Sequence, residues 1–271
     1  MKRKLTVGAL VGLLVFLAGW AEARPLTYTT NYLVTYQWGG TWQDANKTAA
    51  NTEDDNMCWA AAASNILAWG DWGTPTYTTT DQIFKHFQDH WTDDAGFANW
   101  GWKWWFNGSP PPTSRYAVID VPGGGNFYPA LNYTEYFAYA MTGDLLAALN
   151  TLMHQGYGAT LTIKKGTLAH AVTAWGYEYT YDRGTVTYNS LFITDSDDGK
   201  LALVNYPLVW SDGWYMGGGY SGWKITGLYT LKYNPLVPGG RVLPTPLSPS
   251  AVLLATGLAL LGVLGRRRHG W

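Results

Sequence analysis

The chain has 271 residues, of which 14% are charged, with 18 Lys and Arg against 19 Asp and Glu. Setting aside residues 1–23 and 244–271, which read as address signals, leaves 12 basic against 18 acidic residues, a net charge of −6 that excludes nucleic acid as a partner. Sixteen Trp and 19 Tyr point to a rigid aromatic core, and a single cysteine excludes an intrachain disulfide.

In chain order, Lys2-Arg3-Lys4, the apolar run from Leu5 to Ala18 and Ala21-Glu22-Ala23 form the charged, apolar and small-residue parts of a secretory signal peptide. Export with cleavage after Ala23 is the expectation, and residues 24–243 suit one folded domain. Leu26 to Trp38 alternates loosely and is rich in Thr, Tyr and Val, which predicts a strand running into a Gly39-Gly40 turn. A loop carrying Lys47 follows. Cys58 then stands between a polar run and the helix formers Ala60 to Ala63, so a helix is predicted from Cys58 to about Trp69, capped by Asn56 or Asp55. A second helix is predicted from Asp81 to about His90, capped within Thr78 to Thr80. The aromatic, Gly- and Pro-rich stretch from Trp91 to Gly125 reads as a long ordered loop. Thr142 is the expected cap of a helix from Gly143 to His154, with Leu145, Leu146, Leu149 and Leu152 as its stripe.

Beyond that helix the period changes to two. Ala159 to Lys164, His170 to Tyr179, Thr185 to Thr194, Lys200 to Val209 and Trp223 to Tyr233 each read as a strand. Helices first and strands later, without βαβ alternation, predict an α+β fold with an antiparallel sheet.

Residues 244–271 hold a Pro-rich lead, an apolar run from Ala251 to Leu264 and Arg266-Arg267-Arg268. Fourteen apolar residues are short of the roughly 20 a permanent span requires. The arrangement resembles the PEP-CTERM sorting signals of Gram-negative bacteria, which implies a sorting or processing enzyme as a partner, transient membrane association through the tail, and delivery to the cell envelope or extracellular surface. A plain membrane tail with positive-inside arginines is the alternative.

The chemistry-bearing residues are few. At a helix start the Cys58 sulfur would sit beside unpaired N–H groups and the positive end of the dipole, which favour thiolate over thiol; the alternative is a small buried hydrophobe. A nucleophilic cysteine needs an imidazole to take its proton and a third group to orient that imidazole. His170, 112 residues on, opens the strand HAVTAWGYEY, and Asp195, a further 25 residues on, ends the next strand in FITDSDDG. Asp197 could share that network or hold the loop. The backbone N–H of Cys58 and the Lys47 ammonium are candidate oxyanion donors, although a solvated lysine is the commoner fate. A calcium loop starting at Asp195 fails on spacing: Gly199 comes one residue early and the twelfth position is Tyr206.

These segments carry a resemblance. Cys58-Trp59 at a helix start and His170-Ala171-Val172 with Gly176-Tyr177 look like the motifs of the papain-like clan. WQDANKT, WWFNG, HAVTAWG and ITDSDDG, in order from about Trp42 to Asp198, are similar to the streptococcal immunoglobulin G-degrading endopeptidases of the Mac or IdeS family. The resemblance implies a papain-like two-lobe α+β fold, with a helical lobe carrying the cysteine packed on an antiparallel sheet lobe carrying the histidine. It implies a cysteine endopeptidase acting on protein or peptide substrates without cofactor or metal. Cys58 and His170 would form the dyad, Asp195 would orient the imidazole, Asp197 would support it and Lys47 would serve the oxyanion hole. Immunoglobulin cleavage is not implied for a chain with an environmental type of sorting tail. Two other functions fit the sequence: a surface binding module with Trp100–Trp105 and Tyr215–Tyr220 as an aromatic platform, and acyl transfer to an amine, as in transglutaminase-like enzymes.

Overall fold

A computed structural model describes residues 27–47, 54–109 and 115–236. The leader and tail expectations lie outside these residues. No helix among the described residues is long and apolar enough to cross a membrane.

The elements in order are β1 (Tyr28–Leu33), α1 (Val34–Trp38), α2 (Cys58–Trp69), α3 (Thr80–Gln88), α4 (Ala98–Asn107), β2 (Phe137–Ala140), α5 (Leu145–His154), β3 (Tyr157–Lys165), β4 (Leu168–Asp182), β5 (Thr185–Thr194), β6 (Val204–Trp210), β7 (Trp214–Met216) and β8 (Trp223–Lys232). All strand pairs are antiparallel. Following the pairings from β4 through β3, β8, β7, β6 and β5 leads back to β4, so the sheet closes on itself as a barrel. β1 extends the β3-side edge of β4, and β2 extends the β7-side edge of β8.

This overturns the expected papain-like two-lobe fold. The described residues are mostly sheet, a closed antiparallel β-barrel with eight strands and few helices. The Cys58 helix is not part of a separate lobe, because α2 lies directly on β3 and β4. The approach is close: a Cβ on Gly158 of β3 would sit 2.7 Å from the Trp69 ring and 2.9 Å from Ile66 Cδ1. One continuous cluster of buried side chains runs from α2, α3 and α4 to the sheet face they cover.

Two tight turns set the hairpins that flank β4. Gly166, with φ of 60°, opens the β3–β4 turn, and Arg183 and Gly184, with φ of 49° and 88°, form the mirror-image turn between β4 and β5 that matches strand twist.

The Trp91–Gly125 stretch, expected as loop, contains α4. Its residues Ala98, Trp102, Trp105 and Phe106 face the core, and Gly108 ends it in the left-handed conformation. Two of its buried indoles are satisfied, with Trp102 Nε1 donating to Ala63 O (3.0 Å) and Trp105 Nε1 to Trp72 O (2.8 Å). Capping also differs from expectation. Met57 occupies the N-cap of α2 with no side-chain bond, while the Asn56 N–H is drawn away to Asp93 Oδ1 (2.7 Å). Asp144 caps α5 in place of Thr142, accepting from the N–H groups of Leu146 and Ala147. Around α3 the Thr79–Gln82 pair forms a capping box inside the expected run.

Candidate functional site

The register of β4 against β5 decides which face Asp195 shares. Between Tyr188 and Ser190 the extra residue Asn189 shifts the pairing by one, and between Ala174 and Gly176 the extra residue Trp175, on the other strand, shifts it back. The ladder therefore ends with Thr173 opposite Thr194. One step further Asp195 falls beside Val172, which makes His170 its diagonal neighbour on the same face. The first bulge alone would have turned Asp195 to the opposite face. Trp175 is held by its indole N–H bond to Thr194 Oγ1 (2.9 Å).

The result is a compact set of ionisable groups. His170 Nε2 meets Asp195 Oδ1 at 2.8 Å. With Nε2 so engaged, the other ring nitrogen lies 3.5 Å from Asp197 Oδ2, and the Cys58 side chain is close enough to the ring to help raise its pKa. Cys58 is the first residue of α2 and is half-buried. Asp195 is buried, and its second oxygen accepts from the Tyr220 hydroxyl. Asp197 pairs through Oδ1 with the Lys47 ammonium, whose side chain is 3% exposed. The structure thus gathers Cys58, His170, Asp195, Asp197 and Lys47, with Lys47 directed at Asp197.

The imidazole is held far from its ordinary titration range. Burial would lower its pKa, but the hydrogen bond that Asp195 accepts and the nearness of Cys58 and Asp195 outweigh burial and raise it from 6.5 to about 10. His170 is an imidazolium at neutral pH.

Asn65, seven residues beyond Cys58 and so two turns along the same helix face, sets the position of the nucleophile. Its side chain donates to Thr173 Oγ1 (2.9 Å) on β4 and to Ser196 Oγ (3.5 Å), and it accepts from the Ala45 N–H (2.8 Å). One buried amide therefore ties the cysteine helix to the histidine strand, to the Asp195–Asp197 loop and to the segment bearing Lys47. Ser196 Oγ in turn donates to Asp44 Oδ1 (2.9 Å). Burial pushes the Asp44 carboxyl up to about 7; Asp198, Asp195 and Asp81 add to the rise, and the Ser196 hydroxyl opposes it. Asp44 Oδ2 is buried without a hydrogen-bond partner.

Tyr220, Asn65 and Asp44 were not singled out from the sequence. Asp44 stands inside WQDANKT, but an aspartate in a polar stretch carries no mark of burial. Tyr220 lies in a Gly-rich turn and was grouped with a ligand platform. Of the other half of that platform, Trp102, Trp104 and Trp105 are buried in the core and Trp100 is partly exposed.

Ligand atoms of His170, Asp195 and Asp197 lie within 4.8 Å of one another, as a metal would require. The Lys47 ammonium already supplies the positive charge against Asp197, and His170 and Asp195 are bonded to each other, which leaves the donor set poorly suited to a cation. Comparison with protein families and with curated proteins returns no match for this chain.

Proposed function

We propose that the chain is an exported cysteine endopeptidase that hydrolyses peptide bonds of protein or peptide substrates through an acyl-enzyme at Cys58. The observation that carries the proposal is a partly exposed sulfur at a helix start, beside an imidazole whose Nε2 is fixed by a buried carboxylate and whose pKa that sulfur helps to raise.

In this reading the Cys58 sulfur adds to the scissile carbonyl carbon as a thiolate, and His170 gives its proton to the leaving amine. A water molecule, deprotonated by the now neutral His170, attacks the thioester and releases the acid, restoring thiolate and imidazolium. Asp195 keeps the ring in one orientation throughout. Asp197 and Lys47 balance each other's charge beside it, so the second carboxylate does not draw the imidazolium away from sulfur. The backbone N–H of Cys58 at the start of α2 is the assigned oxyanion donor, with Lys47 as the nearby cation. The N-terminal leader and the C-terminal sorting-type tail support export to the envelope or surface, where a sorting enzyme and transient membrane contact act on the tail.

The test is digestion of a denatured, carboxymethylated protein by the purified full chain under reducing conditions. Cys58→Ala abolishes new termini while circular dichroism and cooperative melting persist. His170→Ala slows alkylation of Cys58 by iodoacetamide at pH 6 by at least about tenfold. Undiminished hydrolysis by Cys58→Ala refutes the proposal, and products extended by an added amine would assign the chain to acyl transfer.

A further inference from the structure

Six tryptophans, Trp59, Trp72, Trp102, Trp104, Trp105 and Trp175, are fully buried, whereas Trp210 stands 56% exposed, the one exposed tryptophan among the described residues. It lies at the tip of the β6–β7 hairpin and pairs across it with Trp214, ring centroids 5.1 Å apart and planes at 66°. Between this hairpin, the Met141–Gly143 segment and the start of β8 is a cavity of about 200 Å³. This is the volume of about six or seven liquid water molecules, enough for one small ring.

The cavity is pre-formed. Trp214 cannot swing, because its indole N–H is bonded to Asp144 Oδ1 (2.9 Å), the oxygen that caps α5. The Ser211 N–H closes the hairpin turn onto Gly213 O at 3.0 Å. On the polar side, the Asp212 carboxylate accepts from Lys224 Nζ (2.6 Å) and from the Tyr215 hydroxyl (2.8 Å). An ionised carboxylate offers about four acceptor sites, so two remain open on Asp212. The Thr226 hydroxyl donates to Thr162 O (3.2 Å) and keeps its lone pairs for a ligand.

We propose that this cavity is a binding site for a neutral pyranose sugar. A pyranose has an apolar C–H face that lies against an open indole, as Trp210 presents, and a rim of hydroxyls that donate to carboxylate and hydroxyl acceptors, as Asp212 and Thr226 present. The Asp212–Lys224 pair leaves the lining without net charge, which disfavours ionic ligands. An apolar peptide side chain would fill the same space but would cover the ion pair and hydroxyls without replacing their water, which disfavours it. The site is separate from the Cys58–His170 pair and does not depend on the reaction proposed there.

The experiment titrates the full chain with methyl glycosides of glucose, galactose and mannose, following the indole N–H resonances of Trp210 and Trp214 by NMR. At least one glycoside shifts both resonances with a dissociation constant in the millimolar range, typical of one sugar on one aromatic ring. Trp210→Ala weakens binding at least about tenfold, Asp212→Ala weakens it several-fold, and Cys58→Ala leaves it unchanged. No shift with any of the three sugars, binding that survives Trp210→Ala, or stronger shifts with N-acetylphenylalanine amide than with every sugar overturns the proposal.

Discussion

The raised His170 pKa rests on two partners, and removing each should move it by a different amount. Cys58→Ala deletes the one side chain besides Asp195 that raises the His170 pKa, while keeping Asp195. Opposite charges about 4 Å apart interact by about 4 kcal/mol at an effective dielectric near 20, and one pKa unit is worth 1.36 kcal/mol, so the charge alone accounts for up to about three units. The titration of His170 should therefore fall from about 10 to between about 7 and 8 in Cys58→Ala. Asp195→Asn removes the largest of the raising contacts, so the titration of His170 falls there too, with Cys58 alone left to oppose burial. The assay is NMR of the His170 Cε1–H resonance from pH 5 to pH 11. Folding stability tracks the same shift. A group whose folded pKa lies above its unfolded value stabilises fully below 6.5, and that contribution disappears as pH rises through about 10. The difference in unfolding free energy between the wild-type protein and Asp195→Asn should thus shrink steadily between pH 7 and pH 10. A wild-type His170 that titrates at or below 6.5, or one unmoved by Cys58→Ala, refutes the reasoning and the ion pair with it.

Other substitutions probe the surroundings. Tyr220→Phe leaves one oxygen of buried Asp195 without its donor; kcat should drop about tenfold with KM within twofold, and the His170 titration should move, whereas a purely structural tyrosine would leave that titration in place. Asp197→Asn strands a buried ammonium at Lys47 and should cost about 3 kcal/mol in urea unfolding, more than Lys47→Met, which leaves a carboxylate that water can reach. Asp44→Asn should raise stability by about 2–4 kcal/mol at pH 8, by less at pH 5, where the carboxyl is ionised in the unfolded chain but protonated in the folded one, and not at pH 3, below both pKa values; equal effects at pH 8 and pH 3 would contradict a carboxyl raised from 3.8 to about 7. Gly176→Ala would place a Cβ 2.0 Å from Tyr32 O on the neighbouring strand and should cost about 3 kcal/mol or more by thermal melting, with loss of amide protection along β1.

What could be read in the sequence and what could not divides along one physical line, local pattern against long-range register. The start of α2 at Cys58 and the bounds of β5, Thr185 to Thr194, follow from helix formers and from a strand-type run between turn residues, and stand as expected. The barrel does not, because closure depends on β7, three residues long and too short to show a period. The aromatic richness of α4 hid its helical spacing, and only the buried partners Phe87 and Trp59, which crowd Gly101, show why that spacing packs. In the site, Cys58, His170 and Asp195 were visible as residue types in a meaningful order, but order along the chain cannot say which face of a sheet a side chain takes. That face is set by the pair of opposed bulges at Asn189 and Trp175. Each moves the register by one residue, so either alone would separate the carboxylate from the imidazole, and the two together restore it. Deleting Asn189 should therefore act like a substitution of Asp195, abolishing the raised titration of His170 although no member of the site is altered, and deleting Asn189 and Trp175 together should return part of it.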